Sequence, residues 1–270
     1  MKKAFLIIAL LAAVPSTSLA DDALFDEEEV DNPLKTGINL YPFAEEIKWR
    51  EFFQGAQALE EKGDRRGAGA MATFESGASV YRLKGEYFEG TGDAQGAAGG
   101  ISWATEVKEY GFKLEGDGGW RIPIGRFSIV PNLGLGYRWW RRDYENSATT
   151  EGWLEKWHTV YFKLGALAEY DIGGGGGIVP YAEAAVRIGV FNNNEMDVAG
   201  TEISTNPGGR ITPYAEAGLK LSILKAAVYY ERIEFAQSDP VPAPGLPAGW
   251  GLVQMEVRAN IYGARVGLSF

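Results

Sequence analysis

In the stretch YGFKLEGDGGWR, residues 110–121, every second side chain is apolar or small: Tyr110, Phe112, Leu114, Gly116, Gly118 and Trp120. Lys113, Glu115, Asp117 and Arg121 hold positions between them. A period of two is that of a β-strand with unlike faces. The same pattern returns in FSIVPNLGLGYRWW, with Phe127, Ile129, Pro131, Leu133, Leu135 and Tyr137 on one face and Arg138 on the other. It returns again in HTVYFKLGALAEY, where Val160, Phe162, Leu164, Ala166, Ala168 and Tyr170 oppose Lys163 and Glu169. A chain built this way must place one side of a sheet in an apolar medium and the other among charges.

Ten such segments are predicted, near 38–53, 67–75, 78–90, 103–121, 127–142, 156–171, 178–191, 211–223, 226–237 and 253–270. Their connections alternate. The short ones are Ser76-Gly77, PIGR at 123–126, GGGGG at 173–177 and the residues around Leu224; the long ones are 54–66, 91–102, 143–155, 192–210 and 238–252. Strict alternation is expected when all turns lie on one side of a bilayer and all loops on the other.

The apolar rows end in aromatics. Tyr110 and Trp120, like Phe127 and Tyr137, are ten residues apart, which at ~3.3 Å per residue and a tilt of ~45° is about 23 Å, the height of a lipid-facing band with an aromatic girdle at each rim. Tyr170 ends its row in the same way. The fold class expected is all-β: a transmembrane up-and-down antiparallel barrel of about ten strands. A soluble lipocalin-like barrel, apolar inside, is the alternative, and it leaves the girdle spacing unexplained. On the membrane reading the lumen receives Arg82, Lys84 and Glu86, then Lys113 and Glu115, Arg138, Lys163 and Glu169, Glu183 and Arg187, Glu216 and Lys220, and Arg265. These mixed signs favour a salt-bridged plug of side chains over an open pathway. PYAEAAVRI at 180–188 and PYAEAGLKL at 213–221 echo each other, with PFAEE at 42–46 a fainter copy that adds Phe43 and Glu45 to the inward set.

Two strands break the parity. Met255, Val257, Ala259 and Ile261 are apolar at odd positions, and from Tyr262 the apolar set is even. A bulge or the end of the membrane zone is expected there. A similar flip lies between Ala44 and Ile47, and the faces of 226–237, with Glu231 beside Tyr229, Ile233 and Phe235, are left open.

MKKAFLIIALLAAVPSTSLA, residues 1–20, has a basic start, an apolar run and a small-residue cleavage pattern, as in a secretory signal peptide. Residues 21–36 form an acidic segment expected in the periplasm, and 37–270 form the barrel. Without residues 1–20 the chain carries 24 basic and 36 acidic residues, which argues against general nucleic-acid binding. There is no Cys and a single His, so no cofactor or zinc site is expected.

The signal peptide, the amphipathic strands and the final YGARVGLSF resemble those of Gram-negative bacterial outer-membrane β-barrel proteins. The resemblance spans essentially the whole exported chain. It implies that Tyr262, Val266, Leu268 and Phe270 form a C-terminal signal read by the barrel-assembly machinery, with the last strand closing the barrel on the first. It also implies a monomer among outer-membrane lipids, but names no activity.

An enzyme reading turns on His158. The omptins, a ten-stranded protease family, use an acidic pair and a His/Asp pair at the outer rim. Here His158 shares the apolar face with Val160 and Phe162, and no Asp lies within two residues; a general base needs a positioned partner. It is read as part of the girdle, and no catalytic residue is assigned. GGGGG lacks the Lys and Ser/Thr of a phosphate loop. DEEEVD at 26–31 and NNNEMD at 192–197 lack EF-hand spacing, and Trp153 and Trp250 put aromatics where an extracellular ligand could be met. The function expected is non-enzymatic, a structural or surface-interaction role through the outer loops; a narrow channel for small solutes or ions is the alternative, and an outer-rim enzyme a more distant one.

Overall fold

The computed structural model describes residues 35–98, 101–148, 151–173, 177–198, 201–242 and 251–270. The signal-peptide reading of 1–20, nearly all of the acidic segment and Trp250 lie outside them. Among the described residues ten long strands are present: β1 Lys35–Phe53, β2 Ala56–Ser76, β3 Ser79–Ala98, β4 Ile101–Trp120, β5 Phe127–Tyr144, β6 Leu154–Tyr170, β7 Ile178–Val198, β8 Ile211–Leu221, β9 Leu224–Phe235 and β10 Glu256–Ser269. Each pairs antiparallel with the next, and β10 pairs with β1 from Asn39↔Ser269 to Phe52↔Glu256. Ile38 and Phe270 exchange both backbone hydrogen bonds at the seam, at 3.0 and 2.8 Å. The sheet is a closed barrel, which removes every exposed long edge.

The strands run longer than expected. Residues 54–66 and 91–102, read from the sequence as long loops, are mostly strand. Gln54 and Gly55, both at positive φ, turn β1 into β2 in two residues, and β3 pairs with β4 out to Ala98↔Ile101. The expected alternation of long and short connections fails here. These segments are charged and glycine-bearing, a polarity that a loop shares. Two of the remaining outer connections carry short pieces of strand: Thr201–Thr205 on β7, and Val241–Pro242 paired with Gly251–Leu252.

The end holding the start of β1 and the end of β10 is called here the inner end. From it upward the outward face is apolar, with Leu40, Leu83, Leu114, Leu133, Leu164, Val228 and Val266 all exposed. It then changes to charge at Glu46, Arg66, Glu89, Lys108, Arg141, Lys156, Arg232 and Arg258. Above that line the apolar residues move inside. Trp49, Phe88, Trp140, Trp157, Ile233, Phe235, Val257, Ala259 and Ile261 make one buried core.

The parity flips in the sequence have this cause. β10 pairs without a break through Tyr262↔Tyr230 and Ile261↔Glu231, so the flip marks the end of the apolar outer band and not a bulge. The flip in β1 is likewise free of any register shift, since Ala44, Glu45, Glu46 and Ile47 pair in sequence with both neighbours. The open faces of β9 are settled: Tyr229, Glu231, Ile233 and Phe235 are buried inside the barrel and Val228 is exposed outside. A true irregularity lies between Val160 and Tyr161, where β7 carries one extra residue and both Val190 and Phe191 are exposed.

Candidate functional site

The alternation of β-strands sends every second side chain into the bore, and there the charges are paired. Near the inner end Arg121 bonds Glu75 at 2.7 Å and also Glu169, which Lys220 shares. Higher up, Arg82 forks to Asp117 at 2.7 Å and Glu183 at 2.8 Å, and Lys163 lies within 3.0 Å of Glu115, Asp117 and Glu183. Arg265 meets Glu216 and, at 3.3 Å, Glu86; Lys84 reaches Glu86 at 2.9 Å. At the next level Glu231 is ringed by Arg138, Arg187 at 2.6 Å and Lys113 at 3.3 Å, and Lys113 also reaches Glu45.

All thirteen lumen charges read from the sequence face the bore: Glu169 and Lys220 pair around Arg121 near the inner end, and the other eleven are joined by ion pairs higher up. Their carboxylates are too few on their own. Glu45, Asp117 and Glu231 complete the pairing, together with tyrosine hydroxyls: Tyr229 donates to Glu45 at 2.8 Å, Tyr161 to Glu115 at 2.9 Å, and Tyr181 and Tyr214 to Glu216 at 2.7 and 2.5 Å. Lys113 is on β4 and Glu231 on β9, five strands apart in a ring of ten, so their contact at 3.3 Å spans the diameter. Arg82 on β3 and Glu183 on β7 also meet across the bore. Side chains that reach across it close it.

Above the line of outward charge lies a second layer that sequence reasoning missed. Arg142 is fully buried. It contacts Glu61, Glu155 at 2.9 Å and Glu51 at 3.7 Å, and its guanidinium lies 4.0 Å from the ring centre of Trp49. The indole nitrogens of Trp49 and Trp157 donate to Glu51 and Glu155 at 2.9 and 3.0 Å, and Trp153 adds a 3.0 Å bond to Glu155. Trp140 and Trp157 stack with planes 5° apart, and Phe235 stacks on Trp157 at 4.9 Å. One arginine faces three carboxylates here, and burial with the neighbouring Glu155 pushes the Glu51 carboxyl up to about 7. The available signal was the period of two persisting through Glu61, Gly63, Arg65 and Gly67, obscured because its inward members are charged or lack side chains.

The girdle residues face outward. Phe127 and Tyr170 are register partners near the inner end, where Trp120 is exposed. Tyr110 and Tyr137 sit just below the line of outward charge, packed with Trp139 and Phe112. His158 is on this outer surface, its Nδ1 2.9 Å from the Tyr137 hydroxyl and its backbone opposite Trp139. Desolvated among aromatics and away from the bore carboxylates, it is placed as a girdle residue would be. Tyr262, Val266, Leu268 and Phe270 are all exposed on the apolar band.

Cavities interrupt this packing among the described residues. One of about 620 Å³ lies at the outer end, lined by Asp143, Tyr144, Glu145, Glu151, Trp153 and Asp197 among others. One of about 310 Å³ opens at the inner end. Another, among lumen charges including Arg82, Lys163 and Glu183, measures about 50 Å³, little more than one water.

No protein-family model and no curated protein matches this sequence. Among solved structures it is similar to the outer membrane protease OmpT from Escherichia coli, at 9% identity over 89% of this chain and 96% of that one, with a TM-score of 0.52. It is also similar to Neisserial surface protein A, at 13% identity, 86% and 97% coverage and a TM-score of 0.32. A third is the outer membrane protein OprG from Pseudomonas aeruginosa, at 13% identity, 87% and 95% coverage and a TM-score of 0.35. At such identities the likeness concerns the fold alone.

Proposed function

We propose that this β-barrel is one of the bacterial outer membrane, closed and non-enzymatic, and that it acts at the cell surface through the wall its strands raise above the membrane. The observation that carries this reading is the Lys113–Glu231 contact across the diameter, capped by the tryptophan layer around Arg142. A plug this charged and this fully paired is costly to open, because each separated pair leaves a buried charge uncompensated. The wall above the band is built from β1–β4 hairpins carrying Glu60, Lys62, Asp64, Arg66, Glu89 and Asp93 on their outward faces. Rigid strands of this kind present a fixed surface to a partner, as loops on a scaffold do. We further propose a monomer held among outer-membrane lipids by the two girdles and delivered by the barrel-assembly machinery through Tyr262, Val266, Leu268 and Phe270.

The test is single-channel conductance of the refolded protein in a planar bilayer, with Arg138→Ala alongside. Silence from folded wild type, with current appearing in the variant, supports the closed reading. Steady wild-type current that shifts in the variant would replace it with the narrow-channel reading.

A further inference from the structure

Among the described residues, every lysine or arginine that faces the bore has a carboxylate within ion-pair distance except Lys225. Lys225 is the second residue of β9, at the inner end, and its Nζ lies 4.7 Å from the ring centre of Tyr181. Its register partner on β8 is Lys220. Like charges directly opposite on paired strands repel. Lys220 cannot be neutralised fully by Glu169, because Arg121 shares that carboxylate, and Glu75, the other carboxylate nearby, is held by Arg121. Among the side chains described at this end, three basic groups, Arg121, Lys220 and Lys225, thus lie with two carboxylates, Glu75 and Glu169. The layer around Arg142 has the opposite imbalance, with Arg65 and Arg142 against Glu51, Glu61, Glu109 and Glu155.

Both lysines line the inner cavity of about 310 Å³, room for roughly ten waters. Its wall also holds Asn39, Thr73 and Ser269, side chains able to donate hydrogen bonds, and the Glu75 carboxylate that Arg121 holds at 2.7 Å. We propose that this vestibule binds a small soluble oxyanion, a phosphate or a di- or tricarboxylate, with Lys225 as its principal contact and Lys220 as the second. An anion between the two ammonium groups makes a charge-assisted hydrogen bond to each and removes their mutual repulsion. The surplus of basic groups at this end favours an anion there. The strands that wall the cavity carry the apolar band on their outer face, so its ligand comes from the aqueous side, whether or not the bore conducts.

The experiment is calorimetric titration of the folded protein in zwitterionic detergent with inorganic phosphate and, separately, with citrate, folding being checked by heat-modifiable mobility. Saturable binding of at least one probe is expected. It should weaken about tenfold or more in Lys225→Gln, while Lys225→Arg stays within about threefold, since an ion pair to a partly buried charge is worth a decade or more of affinity. Lys62→Gln, on the outer wall, should leave binding unchanged. The proposal is overturned if neither probe gives saturable heat with folded wild type, if Lys225→Gln binds as wild type does, or if Lys62→Gln weakens binding equally. Should Lys225→Gln not fold, Thr73→Glu puts a carboxylate into the same cavity and must abolish binding.

Discussion

Glu231 is the residue on which the plug turns, because Arg138, Arg187 and Lys113 all converge on it. Glu231→Gln keeps the shape and leaves three buried cations short of one negative charge, so a loss of about 3–5 kcal/mol is expected. The urea midpoint of the folded, heat-modifiable band measures it. Arg66→Ala, which removes the 82% exposed partner of Glu89, should move that midpoint hardly at all. Glu51 makes a pH prediction, for it lies above the apolar band. Its carboxyl, ordinarily near 4.5, stands at about 7 in the folded protein, so the folded state holds this proton more tightly than the unfolded one. Stability from this group is fully present below about pH 4.5, falls as pH rises, and levels off above about pH 7, a change on the order of 3 kcal/mol. Glu51→Gln should flatten that part of the stability–pH curve; an unchanged slope would refute the assignment. Neither residue was legible as a site. Glu231 lay in a strand whose two faces are both partly apolar, and Glu51 was one acid among many until its partners were brought round the barrel.

At the level of the strand, a recurring device sets the packing. Inward aromatics repeatedly sit directly opposite a glycine on the neighbouring strand, among them Tyr41 with Gly69, Phe43 with Gly67, Tyr161 with Gly136, Tyr181 with Gly218 and Tyr229 with Gly263. The ring lies over the missing side chain, as in aromatic rescue of a strand glycine. A Cβ at Gly263 would fall 2.3 Å from the Tyr229 ring. Gly263→Ala should therefore push Tyr229 off Glu45 and cost about 1–3 kcal/mol, read as a lower melting temperature. Gly85→Ala, whose added carbon meets only Leu114 at 3.5 Å, should be tolerated. The glycines were visible in the sequence, but their partners are set by register, which no single strand reveals.

For the molecule as a whole, the line where apolar residues change faces divides a membrane barrel, charged inside, from an aqueous one, apolar inside. β3 continues from Glu89 to Ala98 beyond it, a rise of about 20 Å at the usual tilt. This division predicts a depth dependence. Leu133→Arg, at a position 61% exposed in the middle of the band, should cost about 2–4 kcal/mol in lipid vesicles, and Thr91→Arg, outward but above the line, about 0–1. Equal costs at the two positions would mean that the membrane boundary is misplaced.

The amino-acid pattern by itself determined the presence of ten strands though not their full length, the outward apolar band with its aromatic rims and the inward direction of thirteen charges, because a period of two fixes face independently of partner. It could not say which side of the outer wall was wet. There an apolar residue at an inward position and an apolar residue at a lipid position look alike, and only closure of the ring shows Trp49, Trp140 and Trp157 meeting one another. Closure also decided the pairing. Lys113 and Glu231 are 118 residues apart, and nothing in either strand names the other until ten strands place them on opposite walls at one height. Lys225 is the converse case, for its lack of a partner is a property of the assembled bore, where the nearby carboxylates are already taken.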